Sequence, residues 1–545
     1  MAADSASSFV PGLSRQATIP AMLAETVARC GDRPALGFFQ QGRLQWLAWN
    51  EIVQAVAEGT AALAAAGVGP EDRVAHWGGN SPGWIVADLA IQSRGAVHVP
   101  LHAALPLAAA VEQIVHSDAR LALAQDVRQA DQLLERLPRG FAVAERDSFL
   151  ASGRSAPPVA PALIEPDSLA TILYTSGTTG APRGVMLTHR QLTSNVIATS
   201  DASAQPADEV RLCVLPMSHI YARTCDLYSW VYRGTRIVLA ESRDTLVRDA
   251  GACQPTVMNA VPYLYQKLAQ AVRERPADQR GAALRQLLGG SIKRLHCGGA
   301  AMSPDVERIF EEAGLPIFTG YGLTESAPVV STTTAETYVA GTVGRPLANI
   351  EVMIADDSEV LVRGPSVMSG YWRDESATAE TLADGWLHTG DLGAWSPGGN
   401  LVITGRKKEM LVLATGKNVA PARLEALLVG SPLVEQACLV GDGRNYLVAL
   451  IVPNPSALRE EIRRQRLWVW SRRRAVGHPR VRALYRAEIE RCLADTAPHE
   501  RIGEFVLLAR GFSVEEGEMT PKLSLRRDAI ELRFSREIAR MYERR

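Results

Sequence analysis

The sequence predicts an α/β protein in which largely parallel strands are layered with helices, and three observations carry that prediction. From about Asn50 to Phe318 short apolar runs alternate with helical patterns, which is the rhythm of βα units. Beyond Gly341 that rhythm gives way to short strands and turns, and beyond Arg406 to a compact α+β pattern. The chain has 545 residues, more than one hydrophobic core accommodates. The expected architecture is a large N-terminal domain, residues 1–405, of layered α/β subdomains plus a small β-rich part, followed by a smaller α+β C-terminal domain, residues 406–545.

Taken in order, "EIVQAVAEGTAALAAAG" reads as a helix, "RVAHWG" as a strand, "PGWIVADLAIQSRG" as a helix and "AVHVPL" as a strand. A Pro/Ala-rich stretch, "SGRSAPPVAPALIEPD", reads as a surface connection between two similar subdomains. "SLATILYTSG" is the next strand, expected to run into a loop before a helix that begins near Thr188, the place where open α/β sheets bind ligands. "CDLYSWVYRG" has the apolar spacing of a buried helix. "IEVMIADDSEVLVRGP" and "GNLVITG" supply short strands. The last part reads as helix "ARLEALLVG", strands "VEQACLVG" and "NYLVALIVP", a long Arg-rich helical region and "FVLLAR".

Composition narrows the class. A chain that is 47% hydrophobic and 21% charged resembles an ordinary globular enzyme. Its net charge of -1 offers no global attraction to nucleic acid or to an anionic membrane. Seven cysteines lie scattered without a CxxC pair, which points to reduced thiols and a cytoplasmic setting. The first residues, "MAADSASSFVPGLSRQ", lack the basic-then-apolar order of a signal peptide. No apolar run reaches the ~18 residues of a membrane span.

Residues 174 to 189, "YTSGTTGAPRGVMLTH", crowd five hydroxyl side chains between Tyr174 and Thr179 against three glycines and one strong cation, Arg183. Backbone N–H groups and neutral hydroxyls on such a loop suit phosphate oxygens. The pattern is not a Walker A loop, since Pro182 stands where its second glycine belongs, and no GxGxxG occurs in it. Three further stretches follow: "GYGLTES" at 320–326, "LHTGD" at 387–391 and "GRKKEML" at 405–411. Singly, each has a structural reading. Thr324 and Glu325 suit a helix cap and its first-turn acid, Asp391 a turn, and His219 a core position.

Together and in this order, the four stretches resemble the adenylate-forming synthetases, a family that includes acyl-CoA synthetases, adenylation domains of peptide synthetases and luciferases. "LPMSHIYAR" and "TGKNVAP" look most like its long-chain fatty acyl-CoA synthetase branch. The resemblance implies that Thr175, Ser176, Gly177, Thr178, Thr179 and Gly180 hold the β- and γ-phosphates of ATP. Gly299, Ala300 and Ala301 would line the adenine pocket, Tyr321 with Gly322 would pack on the base, and Thr324 would contact the α-phosphate. Glu325 would bind Mg2+, a hard cation that bridges phosphates. Asp391 would accept from the ribose hydroxyls, and Arg406 would reach the ribose from the hinge side. His219 would border the acyl pocket, and "CDLYSWVYRG" would be either core or the wall of an acyl tunnel.

Lys408 would be the swivel between two half-reactions, and Lys417 would face the coenzyme A channel or stand as a solvated turn lysine. The family's C-terminal lysine aligns with Ser524 in "MTPKLSLRR", with Lys522 two residues earlier and assigned its role; Arg183 stands where the family usually has lysine. From Arg459 to Arg486 there are ten arginines and two acids around "LWVW", a segment suited either to peripheral contact with an anionic membrane or to a solvated helical face. Its aromatics are too sparse for nucleic acid. The implied activity is ATP-dependent ligation of a carboxylic acid, medium- to long-chain fatty acid, to coenzyme A. The alternatives are an acyl-AMP ligase that loads an acyl carrier protein and a non-catalytic nucleotide or acyl binder.

Overall fold

The computed structural model describes residues 18–160, 162–175, 182–203, 208–520 and 525–543. A seven-stranded sheet is ordered Gly370–Tyr371, Arg183–Thr188, Leu169–Thr175, Val97–Leu101, Arg73–Trp77, Leu121–Ala124, Ala142–Glu145. Its five strands from Leu169–Thr175 onward in that order pair parallel. Leu121–Ala124 and Val97–Leu101 are buried at every position, as strands covered by helices on both faces must be. The helix Pro82–Ser93 starts where the chain offers a capping hydroxyl and a first-turn proline: Ser81 accepts from the Trp84 backbone N–H at 3.0 Å.

A nine-stranded sheet is ordered Arg345–Pro346, Val329–Thr332, Ile317–Gly322, Arg294–Cys297, Val257–Ala260, Val210–Cys213, Arg236–Leu239, Pro34–Gln40, Arg43–Ala48. Between the sheets lies a core built on the helices Trp49–Ala65, Pro82–Ser93 and His189–Ala202 together with residues 223–233. The Trp49 and Trp230 rings stack there at 4.3 Å. Arg223–Tyr228 takes the π-helical form and is wholly buried.

Two expectations change. The Pro/Ala-rich stretch does not join two self-contained subdomains, because Leu169–Thr175 beyond it re-enters the seven-stranded sheet beside Val97–Leu101, while the early hairpin Pro34–Ala48 belongs to the nine-stranded one. The strand Leu169–Thr175 also turns back before the helix. Arg183–Thr188 pairs antiparallel with it from Thr175↔Arg183 to Leu169↔Thr188, so a second strand stands between the glycine-rich stretch and the helix. Periodicity identifies a strand but not its neighbour, which is a non-local choice.

The β-rich part is a five-stranded antiparallel sheet of Glu351–Ile354, Glu359–Arg363, Leu382–Ala383, Trp386–Trp395 and Leu401–Arg406. The C-terminal part is α+β: strands Val434–Val440, Leu447–Pro453 and Ile502–Leu507, a two-stranded hairpin Leu411–Val412 with Asn418–Val419, and surrounding helices. The Arg-rich region is not one long helix. It breaks into Pro455–Arg464, Arg472–Gly477 and Pro479–Cys492. The C-terminal part touches the helices of the nine-stranded sheet where Gln266 donates to the Val429 carbonyl, and where Arg273 donates to the Gly430 carbonyl at 3.2 Å while pairing with Asp305.

Candidate nucleotide and acid site

Parallel strands Arg294–Cys297 and Ile317–Gly322 lie side by side, and Gly299, Ala300 and Ala301 follow the first while Thr324 follows the second. Gly299 has φ +85°, and a β-carbon there would meet no atom within 4 Å. The glycine supplies the turn and leaves open space above it. Gly299, Ala300 and Ala301 are all exposed. Gly322 has a different reason to be glycine: a β-carbon would lie 1.9 Å from the Pro328 carbonyl oxygen, inside the bulged pairing with Val329.

The Tyr321 hydroxyl donates to Asp391 Oδ2 at 2.8 Å, and Arg406 Nε donates to Asp391 Oδ1 at 2.7 Å. Asp391 and Arg406 face each other directly in the register of Trp386–Trp395 with Leu401–Arg406. This carboxylate is 4% exposed. Asp391, foremost, raises the Arg406 pKa, whereas burial and then Asp391 push the Tyr321 phenol far above its ordinary range. A carboxylate has about four acceptor positions, so both oxygens retain capacity for hydroxyl donors. The turn before Asp391 is held by Glu359, which accepts from the Gly390 N–H at 2.8 Å.

Thr324 is buried in the short 3-10 turn Thr324–Ser326. Glu325 Oε1 accepts from the Tyr371 hydroxyl at 2.9 Å, and its backbone carbonyl accepts from Met368 N at 2.8 Å. Tyr371 in turn belongs to the strand Gly370–Tyr371, paired with Arg183–Thr188. Arg183 lies 5.4 Å over the Tyr371 ring and 3.5 Å from Asp374. Asn195, on the helix that follows the hairpin, donates to the Val329 carbonyl at 2.8 Å and the Ser326 carbonyl at 3.3 Å. Three separated sequence stretches thus converge on Glu325. One of its oxygens is held, leaving a partly exposed hard donor that suits Mg2+, an ion that takes one or two carboxylates alongside phosphate oxygens and waters. Among the described residues no cluster of three or more His, Cys, Asp or Glu could hold a metal by itself.

Tyr371, Asn195 and Glu359 were not foreseen. They lie outside the glycine-rich and acidic motifs, and only pairing of distant strands brings them in. Thr175 ends its strand opposite Arg183, its hydroxyl 3.5 Å from the Arg183 carbonyl. Ser176, Gly177, Thr178, Thr179 and Gly180 lie outside the described residues, as do Lys522 and Ser524.

His219 is half-buried, and its Nδ1 accepts from the Tyr221 N–H at 3.2 Å, capping the turn that leads into residues 220–233. Tyr221 reaches further, its ring 3.4 Å from where a β-carbon on Gly298 would be. Behind it, Arg211 pairs with Glu209 at 2.7 Å and Asp226 at 3.3 Å, and Asn259 donates to Asp226 at 2.7 Å. Burial pushes the Asp226 carboxyl up to about 6 although Arg211 opposes it. Lys408 is exposed in the 3-10 turn Lys407–Glu409, while Lys407 reaches Asp357 at 2.6 Å and Glu359 at 3.2 Å. Lys417 is exposed in the turn of the small hairpin, its carbonyl accepting from Leu413 N at 2.9 Å.

A site assembled at the ends of parallel strands, with a buried carboxylate held on both oxygens and a partly exposed glutamate held on one, suits a nucleotide-using enzyme. Residues 23–372 match the AMP-binding enzyme family, and residues 408–545 match the AMP-binding enzyme C-terminal domain. The long-chain-fatty-acid–CoA ligase FadD15 of Mycobacterium bovis is 30% identical, over 91% of this chain and 93% of that protein. The 3-[(3aS,4S,7aS)-7a-methyl-1,5-dioxo-octahydro-1H-inden-4-yl]propanoyl:CoA ligase of Mycobacterium tuberculosis is 35% identical over 78% of this chain and 86% of its own. The Bacillus subtilis O-succinylbenzoate coenzyme A synthetase, solved with ATP and magnesium ion, superposes with a TM-score of 0.74 at 22% identity, covering 93% of this chain and 98% of that one. The chain belongs to the AMP-binding, adenylate-forming enzyme family, in the branch of the long-chain acyl-CoA synthetases.

Proposed function

We propose that this AMP-forming acyl-CoA synthetase activates a medium- to long-chain carboxylic acid and transfers it to coenzyme A. A carboxylate oxygen of the acid attacks the α-phosphorus of ATP, the bond to the pyrophosphate oxygen breaks, and acyl-AMP forms. The thiolate sulfur of coenzyme A then attacks the acyl carbon and AMP leaves. The observation that carries the reading is the Tyr321–Asp391–Arg406 arrangement, a buried, doubly anchored carboxylate whose remaining acceptor capacity suits the hydroxyls of a polyol such as ribose. Glu325 would hold Mg2+, which offsets phosphate charge when bound. Thr324 would meet the α-phosphate, Tyr321 with Gly322 and the exposed Gly299–Ala301 stretch would receive the base, and residues 175–180 would grip the departing pyrophosphate. Positioning and charge stabilisation supply the catalysis.

In this reading residues 1–405 bind ATP and acid, and residues 406–545 move as the second domain, turning about Lys408 to exchange Lys522 for the Lys417 hairpin. Its setting is the cytoplasm, a reading supported by seven cysteines that all stand as free thiols. Pyrophosphate release across a panel of carboxylic acids, with thioester formation measured for coenzyme A and for a holo-carrier protein, tests it. Release with long-chain acids and transfer to coenzyme A is expected. ATP binding without pyrophosphate release, or transfer to the carrier alone, would overturn it.

A further inference from the structure

Leu467 and Val469 turn inward onto the C-terminal core, whereas Trp468 and Trp470 between and after them point out, 85% and 77% exposed. This is the alternation of an extended segment with one anchored face. The two indole rings meet edge to face at 6.0 Å, so they form one projecting apolar surface. Placing two of the largest apolar side chains in water, on a segment whose other face is packed, is not what a solvated helical surface requires.

The surroundings are cationic. Arg463, Arg466, Arg473, Arg474 and Arg480 are exposed and make no ion pair among the described residues. Other arginines of the region are occupied: Arg464 by Glu461, Arg472 by the Pro453 carbonyl, and Arg482 and Arg486 by Glu504. A second copy of the chain on a twofold axis would bring the same arginines face to face. An anionic partner with an apolar interior satisfies both features, because tryptophan rings settle at headgroup depth and arginines above them meet anionic headgroups.

We propose that Trp468 and Trp470, flanked along the chain by these five exposed arginines, form a docking surface for anionic lipid bilayers. It seats the C-terminal domain on the surface into which long-chain acids partition. The surface depends on no assignment in the nucleotide site, so it stands or falls separately from the ligase reading.

The test uses the full-length protein with vesicles of phosphatidylcholine alone and with added phosphatidylglycerol, read by co-sedimentation and by tryptophan emission. Binding should require the anionic lipid, weaken with salt, and shift emission to the blue. The double variant Trp468→Ser/Trp470→Ser, and separately Arg466→Ser/Arg473→Ser/Arg480→Ser, should each lower partitioning ~10-fold or more. Both should retain far-UV circular dichroism and pyrophosphate release with a water-soluble acid. Absence of binding, or equal binding by folded variants, would overturn the proposal. So would a concentration-dependent dimer abolished by the tryptophan variant, or capture of an acidic carrier protein without vesicle binding.

Discussion

Asp391 accepts from Tyr321 on one oxygen and from Arg406 on the other, and this double hold makes it more sensitive than a turn aspartate. In Asp391→Asn one carboxylate oxygen is replaced by an amide donor, and the charge that faces Arg406 is lost. A charged hydrogen bond removed costs about 1.5 to 3 kcal/mol, so ATP should bind roughly ten- to a hundredfold more weakly by titration calorimetry. Unchanged affinity in a folded variant would remove the ribose assignment. Tyr371→Phe deletes the hydroxyl that holds Glu325. It should cost about 1 kcal/mol of stability and raise the magnesium concentration needed for half-maximal acyl-AMP formation, with the KM for acid unchanged. A variant that shifts acid KM instead would place Tyr371 in the acid pocket. Lys522→Ala should reduce acyl-AMP formation ~10²-fold while sparing thioester formation from supplied acyl-AMP; a silent variant would show that Lys522 does not replace the lysine missing at Ser524.

At the scale of elements, the junction Leu401–Arg406 to Lys407–Glu409 combines a fixed and a free residue. Lys407 is tied to Asp357 and Glu359 on the β-rich part, and the exposed Lys408 follows it. A swivel needs a residue whose backbone angles can change while its neighbours stay attached. Lys408→Pro fixes φ, so acyl-AMP formation should persist while thioester formation falls steeply in a single-turnover assay. Equal loss of both half-reactions would locate the swivel elsewhere. The hairpin Leu169–Thr188 is the second decisive element. Its far strand pairs with Gly370–Tyr371 and its trailing helix fixes the Ser326 turn through Asn195. A shift of the hairpin therefore moves Tyr371, which holds Glu325, together with the Thr324–Ser326 turn.

Across the whole molecule, buried titratable groups set the acid limit of stability. Asp88, His98 and Arg223 meet between the two large sheets, His98 Nδ1 lying 2.6 Å from Asp88 and 2.8 Å from Arg223. Burial, then Arg223, holds His98 down to about 4, against Asp88. Burial also holds His189 down to about 4, and its Nδ1 accepts from the Ile19 N–H at 3.3 Å, a bond that protonation would break. Unfolded histidine titrates near ~6.5, so unfolding takes up protons between that pH and 4. This stability is fully present above ~6.5 and is lost as pH falls toward 4. Burial would raise the Asp88 carboxyl, but Arg223 and then His98 keep it at about 2; its contribution, present above ~4, is lost only as pH falls further toward 2. Thermal melts should therefore decline from pH 6.5 to 4.5, and His98→Gln should flatten part of that slope. A flat profile in the parent protein would contradict the burial of neutral histidines.

The fold class and most helices and strands were legible in residues alone, because apolar period, capping residues and turn glycines are local signals. The strands read in "RVAHWG" and "AVHVPL", found at Arg73–Trp77 and Val97–Leu101, are examples. The side-chain types of Glu325, Asp391 and Arg406 restrict what such a site can bind, and their roles are what the substitutions above test. What tertiary structure decided was adjacency. The sheet that receives Leu169–Thr175, the pairing of Gly370–Tyr371 with the hairpin, and the meeting of Tyr321 with Asp391 across 70 residues all depend on which distant strands lie side by side. The outward turn of Trp468 and Trp470 belongs with them, since "LWVW" has the same composition facing in or out. Only the packing of Leu467 and Val469 on the core selects the face left to the solvent.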